Sequence, residues 1–256
     1  MTPGVSYLLN LHSRTDAGSF QAIVNFYDEF GACIEGASKS YTATGSGWKY
    51  ITTNTNSGIL PVVAPQNASY ATISVTVSSG SIVYVDNLHW TPLTDDQELV
   101  NSGFEDGMDP QRNEPVGYGS WEWGYSYYGA QEIVTEPVKS GKHSLKMNTV
   151  QRQYSNSTIR TKLVSVKAGK EYDFSVAVYT KYGNMPYMTV EYYDANGASA
   201  SGAPAKVTAT QTGKWEVLKT TAVIPEGVAF ATLTVWQYGA TAEGVYYVDD
   251  FSIQEV

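Results

Sequence analysis

The sequence predicts an all-β protein of two units, each a β-sandwich or part of one. Three observations predict it. Short runs rich in Val, Thr, Ile and Tyr are cut by Gly, Asn and Ser, the pattern of strands joined by turns. No run of helical periodicity is long enough for a major helix. A series of strand-like phrases occurs twice, in the same order and at similar spacing.

Composition narrows the functional classes. Of the 256 residues 42% are apolar and 16% charged, enough for real cores and too little charge for a disordered chain. A net charge of −9 argues against nucleic acid and against an anionic membrane surface as partners. Cys33 is the one cysteine, so no internal disulfide can form, and flanked by Ala32 and Ile34 it reads as inert. No apolar stretch is long enough to span a bilayer. The opening "MTPGVSYLLN" has no charged segment followed by an apolar core, so no signal peptide is visible.

Taken in chain order, Gly4–Ala32 matches Gly169–Ala198 with one residue inserted. "GWKYITT" at Gly47 pairs with "KWEVLKTT" at Lys214, and "ASYATISVTV" at Ala68 with "VAFATLTVWQ" at Val228. "SIVYVDNLHW" at Ser81 closes the first copy as "GVYYVDDFSI" at Gly244 closes the second. The second copy spans residues 99–256 and has an opening section, about Leu99–Ala168, with no counterpart upstream. Residues 1–93 therefore read as the later part of the plan, an incomplete or truncated module. Half a sandwich would leave an apolar sheet face bare. Strands from another chain could complete it, it could pack on the second module, or it could stand complete in a shorter form. Residues 94–98, polar and just after Pro92, read as the linker.

Five stretches of the second copy stand in order: "NSGFEDG" at Asn101, "SGKHSLK" at Ser140, "VKAGKEYDFSVAVYT" at Val166, "KWEVLKTTAVIPEG" at Lys214 and "VYYVDDFSI" at Val245. The series resembles the carbohydrate-binding modules of families 4, 9, 16 and 22, with family 16 the nearest in pattern. The resemblance implies a β-sandwich jelly roll in tandem. It also implies a secreted or cell-surface setting and attachment to a larger glycoside hydrolase or polysaccharide lyase. The function implied is non-catalytic: holding a β-linked polysaccharide on an aromatic concave face.

Strand alternation assigns faces. Met188, Val190 and Tyr192 share one face, and Thr189, Glu191 and Tyr193 the other. Phe174, Val176 and Val178 point inward, with Ser175, Ala177 and Tyr179 outward. Leu233 and Val235 point inward, with Thr232, Thr234 and Trp236 outward. Trp236 is thus a large aromatic on a polar face. One reading is a surface Trp covered by a loop or a neighbouring module. The other is a platform for the C–H face of a pyranose, with Glu191, Thr234 and Gln237 bonding its hydroxyls and Tyr193 and Tyr179 as further ligand-binding candidates. The family-16 resemblance implies the second, with a further stacking Trp soon after "GFE", here Trp123 or Trp121. Family 16 has Gln where this chain has Glu191, and a carboxylate only accepts hydrogen bonds. Two rings covering roughly 100 Å² each give ~2.5 kcal/mol apiece. After association costs, a dissociation constant of about 1 μM to 1 mM is expected. In the first copy Thr76 replaces Trp236, Asn25 replaces Glu191, and only Tyr27 matches Tyr193, so little sugar binding is expected there.

The resemblance also implies a structural calcium tying the opening segment to the last strand. Calcium takes six to eight oxygens, backbone carbonyls included. Carried over, the carboxylates are Glu105 and Asp249, with Asp250 the alternative to Asp249, and the carbonyls are those of Gly103, Ser140 and His143. By alternation Asp249 shares a face with Tyr247 and Phe251, a costly place for an unpaired carboxylate. The competing reading of "DD" is a solvated strand end.

An enzyme is not expected. His12, His89 and His143 lack metal-site spacing, and no nucleophile elbow or phosphate loop is present. Glu191 with Glu122 or Glu132 is the one carboxylate pairing that a glycosidase reading would use. A structural or adhesive spacer that binds no sugar is the competing class.

Overall fold

The computed structural model describes residues 1–16, 18–44, 48–52, 62–92, 98–109, 114–116, 118–119, 131–149, 156–238 and 242–256. Their regular structure is entirely strand. The chain divides into two compact units: Met1–Thr94 with Ala195–Ala198, and Asp95–Asp194 with Ser199–Val256. The stretch read as a linker, residues 94–98, lies outside the described residues except for Glu98.

The first unit contains β1 (Ser6–Thr15), β2 (Ser19–Tyr27), β3 (Lys39–Thr44), β4 (Trp48–Thr52), β5 (Val62–Val63), β6 (Tyr70–Val77) and β7 (Val83–Pro92). In one antiparallel sheet β1 pairs with β4, β5 and β7; in the other β2 lies between β3 and β6. Alternation along the strands sends Tyr7, Leu9 and Leu11 of β1 and Phe20, Ala22, Val24 and Phe26 of β2 into one core. The first unit thus has two sheets and a core of its own.

The second unit contains β8 (Met108–Asp109), β9 (Glu114–Pro115), β10 (Tyr118–Gly119), β11 (Gln131–Val134), β12 (Ser144–Thr149), β13 (Asn156–Thr161), β14 (Val164–Ser165), β15 (Glu171–Tyr182), β16 (Tyr187–Tyr193), β17 (Ser199–Ala200), β18 (Val207–Thr208), β19 (Trp215–Val223), β20 (Phe230–Tyr238) and β21 (Gly244–Glu255). A seven-stranded sheet runs β10-β13-β20-β16-β17, with β14 on β20 and β18 on β16. A five-stranded sheet runs β11-β12-β21-β15-β19, and β8 pairs with β9. Phe174, Val176 and Val178 of β15 and Tyr246 and Val248 of β21 meet Met188 and Val190 of β16, Leu233 and Val235 of β20 and Ile159 of β13 in the core. This is the β-sandwich of jelly-roll class that was expected, with the predicted faces inward.

The repeat holds in register. Gln21 pairs Thr76 as Tyr187 pairs Trp236, and Tyr27 pairs Tyr70 as Tyr193 pairs Phe230. The ladder of β1 with β7 slips between Asn10 and His12, and that of β15 with β21 slips at the matching place, between Ser175 and Ala177. Each slip falls beside the Asp of the closing strand, Asp86 or Asp249. It also corrects one expectation. Asp250 takes a φ of 50°, so strict alternation fails after Asp249. Phe251 enters the core against Phe104 and Tyr118, while Asp249 stays with Tyr247 on the opposite face.

Candidate functional site

The outward face of the seven-stranded sheet carries three cross-strand rows. Trp236 lies between Tyr187 and Thr158, Thr234 between Thr189 and Arg160, and Thr232 opposite Glu191. Trp236 is half-buried, and its indole Nε1 donates to Thr189 Oγ1 at 3.0 Å. The rings of Trp236 and Tyr187 are nearly parallel, with centroids 6.4 Å apart and 9° between planes. Lys206 Nζ lies 4.6 Å from the Tyr187 ring centroid, a cation–π contact.

Beside the aromatic pair lies a charge network built on Arg160, which the sequence reading missed. The Arg160 side chain is 4% exposed. Its Nε donates to Thr232 Oγ1 at 3.3 Å, and it donates a short hydrogen bond to the Tyr193 hydroxyl. That hydroxyl donates to Glu191 Oε2 at 2.7 Å, which lies 3.6 Å from the guanidinium. A buried guanidinium needs such partners, because its desolvation is otherwise uncompensated. The same network accounts for a glutamate at 191: a carboxylate meets both the cation and the hydroxyl proton, which an amide would do less well. The signal available in the sequence was alternation in "NSTIRT", which puts Arg160 on the face of Thr158 and opposite Ile159. Arg160→Met should lower the stability of the second unit by about 3 kcal/mol, the low end for a broken buried pair because Glu191 keeps some solvent. Adding Glu191→Gln should recover part of that loss in thermal melts analysed as a double-mutant cycle.

Trp236, Glu191, Tyr193 and Thr234 are thus gathered on one face, Tyr193 and Thr234 as buried supports. Two expected ligand residues are not with them. Gln237 follows Trp236 by one residue and so turns to the other side of β20. It is fully buried, with Oε1 accepting from Thr149 Oγ1 at 2.7 Å and Nε2 donating to the Asn184 carbonyl at 2.7 Å. Tyr179 belongs to the five-stranded sheet, where it packs edge-to-face with Trp215 and Tyr247 at 65° and 82°. Steep angles of that kind break up a flat surface, whereas the Tyr187 and Trp236 rings are parallel to within 9°. Trp121 and Trp123 lie outside the described residues, as does Glu122. Glu132 is on the five-stranded sheet with Lys146 Nζ at 3.3 Å, whereas Glu191 is on the seven-stranded sheet. In the first unit the matching positions are differently used: Asn25 Oδ1 accepts from Ser38 Oγ, and Tyr27 stacks on Tyr70.

The residues singled out for calcium meet around residues 139–143 of the second unit. Asp249 is fully buried, with Oδ2 accepting from the Lys139 and Ser140 N–H groups at 2.9 and 3.2 Å and Oδ1 from Asp250 N–H at 2.8 Å. Ser140 Oγ donates to Asp250 Oδ1 at 2.5 Å. Glu105 Oε1 accepts from the N–H groups of Lys142 and His143, and its Oε2 lies 2.9 Å from His143 Nδ1. Gly103 lies against the same two aspartates: a Cβ there would sit 3.4 Å from Asp249 Oδ1. Gly141 is required twice over, by a φ of +64° and because a Cβ would fall 2.2 Å from Glu105 Oε1.

Burial pushes Asp249 up to about 6, against the pull of the Ser140 and Lys139 N–H groups, with the charge of Asp250 adding to the rise. Glu105 moves the other way, lowered chiefly by the Lys142 N–H and the His143 ring. Among the described residues no three His, Cys, Asp or Glu side chains form a ready-made metal group. A cation here would draw on carbonyl oxygens beside carboxylates, a donor set that suits a hard ion such as calcium. A buried carboxylate whose charge is disfavoured fits that ion.

No protein-family model matches the chain, and no curated protein matches it. Several solved structures resemble it at low identity. The enzymatically active domain of tailspike protein 4 of bacteriophage CBA120 is 8% identical with a TM-score of 0.48, over 64% of this chain and 22% of that one. A family 16 carbohydrate-binding module is 19% identical at TM-score 0.45, over 61% of this chain and 99% of that one. The N-terminal tandem of two family 22 modules of Paenibacillus barcinonensis Xyn10C is 13% identical at TM-score 0.45, over 100% of this chain and 80% of that one. Solved carbohydrate-binding modules are thus among the structures it is similar to. These are likenesses of architecture, and the chemistry of the site rests on its own residues.

Proposed function

We propose that the second unit is a non-catalytic carbohydrate-binding module that holds a β-linked polysaccharide across Trp236 and Tyr187. The observation that carries this reading is the pair of nearly parallel rings on a sheet face whose neighbouring rows hold Thr, Glu, Arg and Tyr193. A pyranose offers C–H groups to such rings and hydroxyls to their polar neighbours. Glu191 Oε2 is committed to Tyr193, and its Oε1 accepts no hydrogen bond among the described residues. That oxygen is the acceptor we assign to a sugar hydroxyl. Trp123 or Trp121 would extend the platform.

The site at Glu105 and Asp249 would hold a structural calcium, with carbonyls of Gly103, Ser140 and His143. The ion would supply the positive charge that the buried Asp249 lacks. The setting that goes with this reading is extracellular, on a larger polysaccharide-degrading enzyme. Presenting the chain with arrayed mannan, β-glucan, xylan and decorated gums, with and without chelator, tests it. Retention on at least one β-linked polymer is expected, weakened by chelator. Retention on none would favour a spacer that binds no sugar.

A further inference from the structure

The repeat supplies its own control for what covers each strand. In the second unit β20 is flanked by β16 and β13, and β21 by β15 and β12. Their counterparts in the first unit, β6 and β7, each pair on one side only among the described residues, with β2 and β1. The exposures differ accordingly. Val235 is 0% exposed and its counterpart Val75 37%; Val248 is 0% and Val85 39%; Phe251 is 2% and Leu88 44%. Ile159 of β13 is the partner of Val235, and Leu145 of β12 the partner of Val248.

The exposed positions keep apolar residues although they meet water. Free edges of soluble sheets are normally guarded by charge or Pro. The run "YATISVTV" of β6 has neither, and β7 has only Asp86 and, at its end, Pro92. Such edges are dressed for a partner, and the second copy states its chemistry: two strands of alternating apolar residues, one joining each sheet.

We propose that the edges of β6 and β7 left unpaired among the described residues are a docking surface for a strand pair of the same repeat, a counterpart of β12 and β13 carried by a separate polypeptide. Main-chain hydrogen bonds would add one strand to each sheet. Side chains in the places of Ile159 and Leu145 would cover Val75 and Val85.

The test uses the full chain and a synthetic peptide with the sequence of residues 140–165, read by amide hydrogen exchange and sedimentation. Excess peptide should slow exchange across β6 and β7 at least tenfold, leave β20 and β21 unchanged, and bind to a monomer. Val75→Lys with Val85→Lys should abolish that protection. Unchanged exchange at saturating peptide would overturn the proposal. So would self-association of the peptide-free chain that already protects β6 and β7, which would make a second copy the occupant.

Discussion

Trp236→Ala should weaken polysaccharide binding roughly thirtyfold, a loss of about 2 kcal/mol, by calorimetry or affinity electrophoresis. The estimate takes one sugar ring leaving a half-buried indole rather than a bare one. The loss should be in binding and not in folding, because Trp236 is outside the hydrophobic core of the second unit. Trp236→Phe should recover part of the affinity. Tyr187→Ala should cost less than Trp236→Ala, since its ring is smaller and also carries Lys206. Equal affinity of Trp236→Ala and the parent would remove the platform.

The second large effect is on stability. In chelator, Asp249 is a carboxyl raised to about 6 in the folded chain and near 4 when unfolded. The folded state then binds the proton more tightly. This group's contribution is full below about pH 4 and is lost as pH rises through 6, on the order of 2–3 kcal/mol. Asp249→Asn should remove that slope, so the difference between parent and variant melts isolates it from Glu105, Asp173 and Glu255. Those three are lowered and act in the opposite direction, losing their contribution as pH falls. Calcium at about a thousand times its dissociation constant adds about 4 kcal/mol. For a unit of this size that is a rise in Tm on the order of 10 °C. Asp249→Asn should not show it. A parent Tm that ignores both calcium and chelator at pH 7 would contradict the metal assignment.

Much of this was legible from alternation alone. The inward sets of β15, β16 and β20 and the outward position of Trp236 follow from period two, because each strand is regular over those residues. Tyr179 was misplaced for a different reason. Alternation says that a residue points outward but not from which sheet, and sheet membership depends on long-range pairing. Gln237 was offered to the ligand because it neighbours Trp236, although period two already sends it the other way. The slip at Asp249 was invisible because an extra residue in a ladder leaves no composition signal. Its recurrence beside Asp86 shows it to be part of the plan. Arg160 escaped because an isolated basic residue reads as solvated until its cross-strand neighbours are known.

The central claim is that sugar meets the indole of Trp236 on the seven-stranded sheet. The most direct measurement is the indole N–H spectrum during titration with a β-linked oligosaccharide, the Trp236 signal being assigned with Trp236→Phe. The account predicts that Trp236 Nε1–H shifts saturably, since its partner Thr189 lies in the same face, while Trp215 stays still. Movement of Trp215 with Trp236 unmoved would put the ligand on the five-stranded sheet and contradict it.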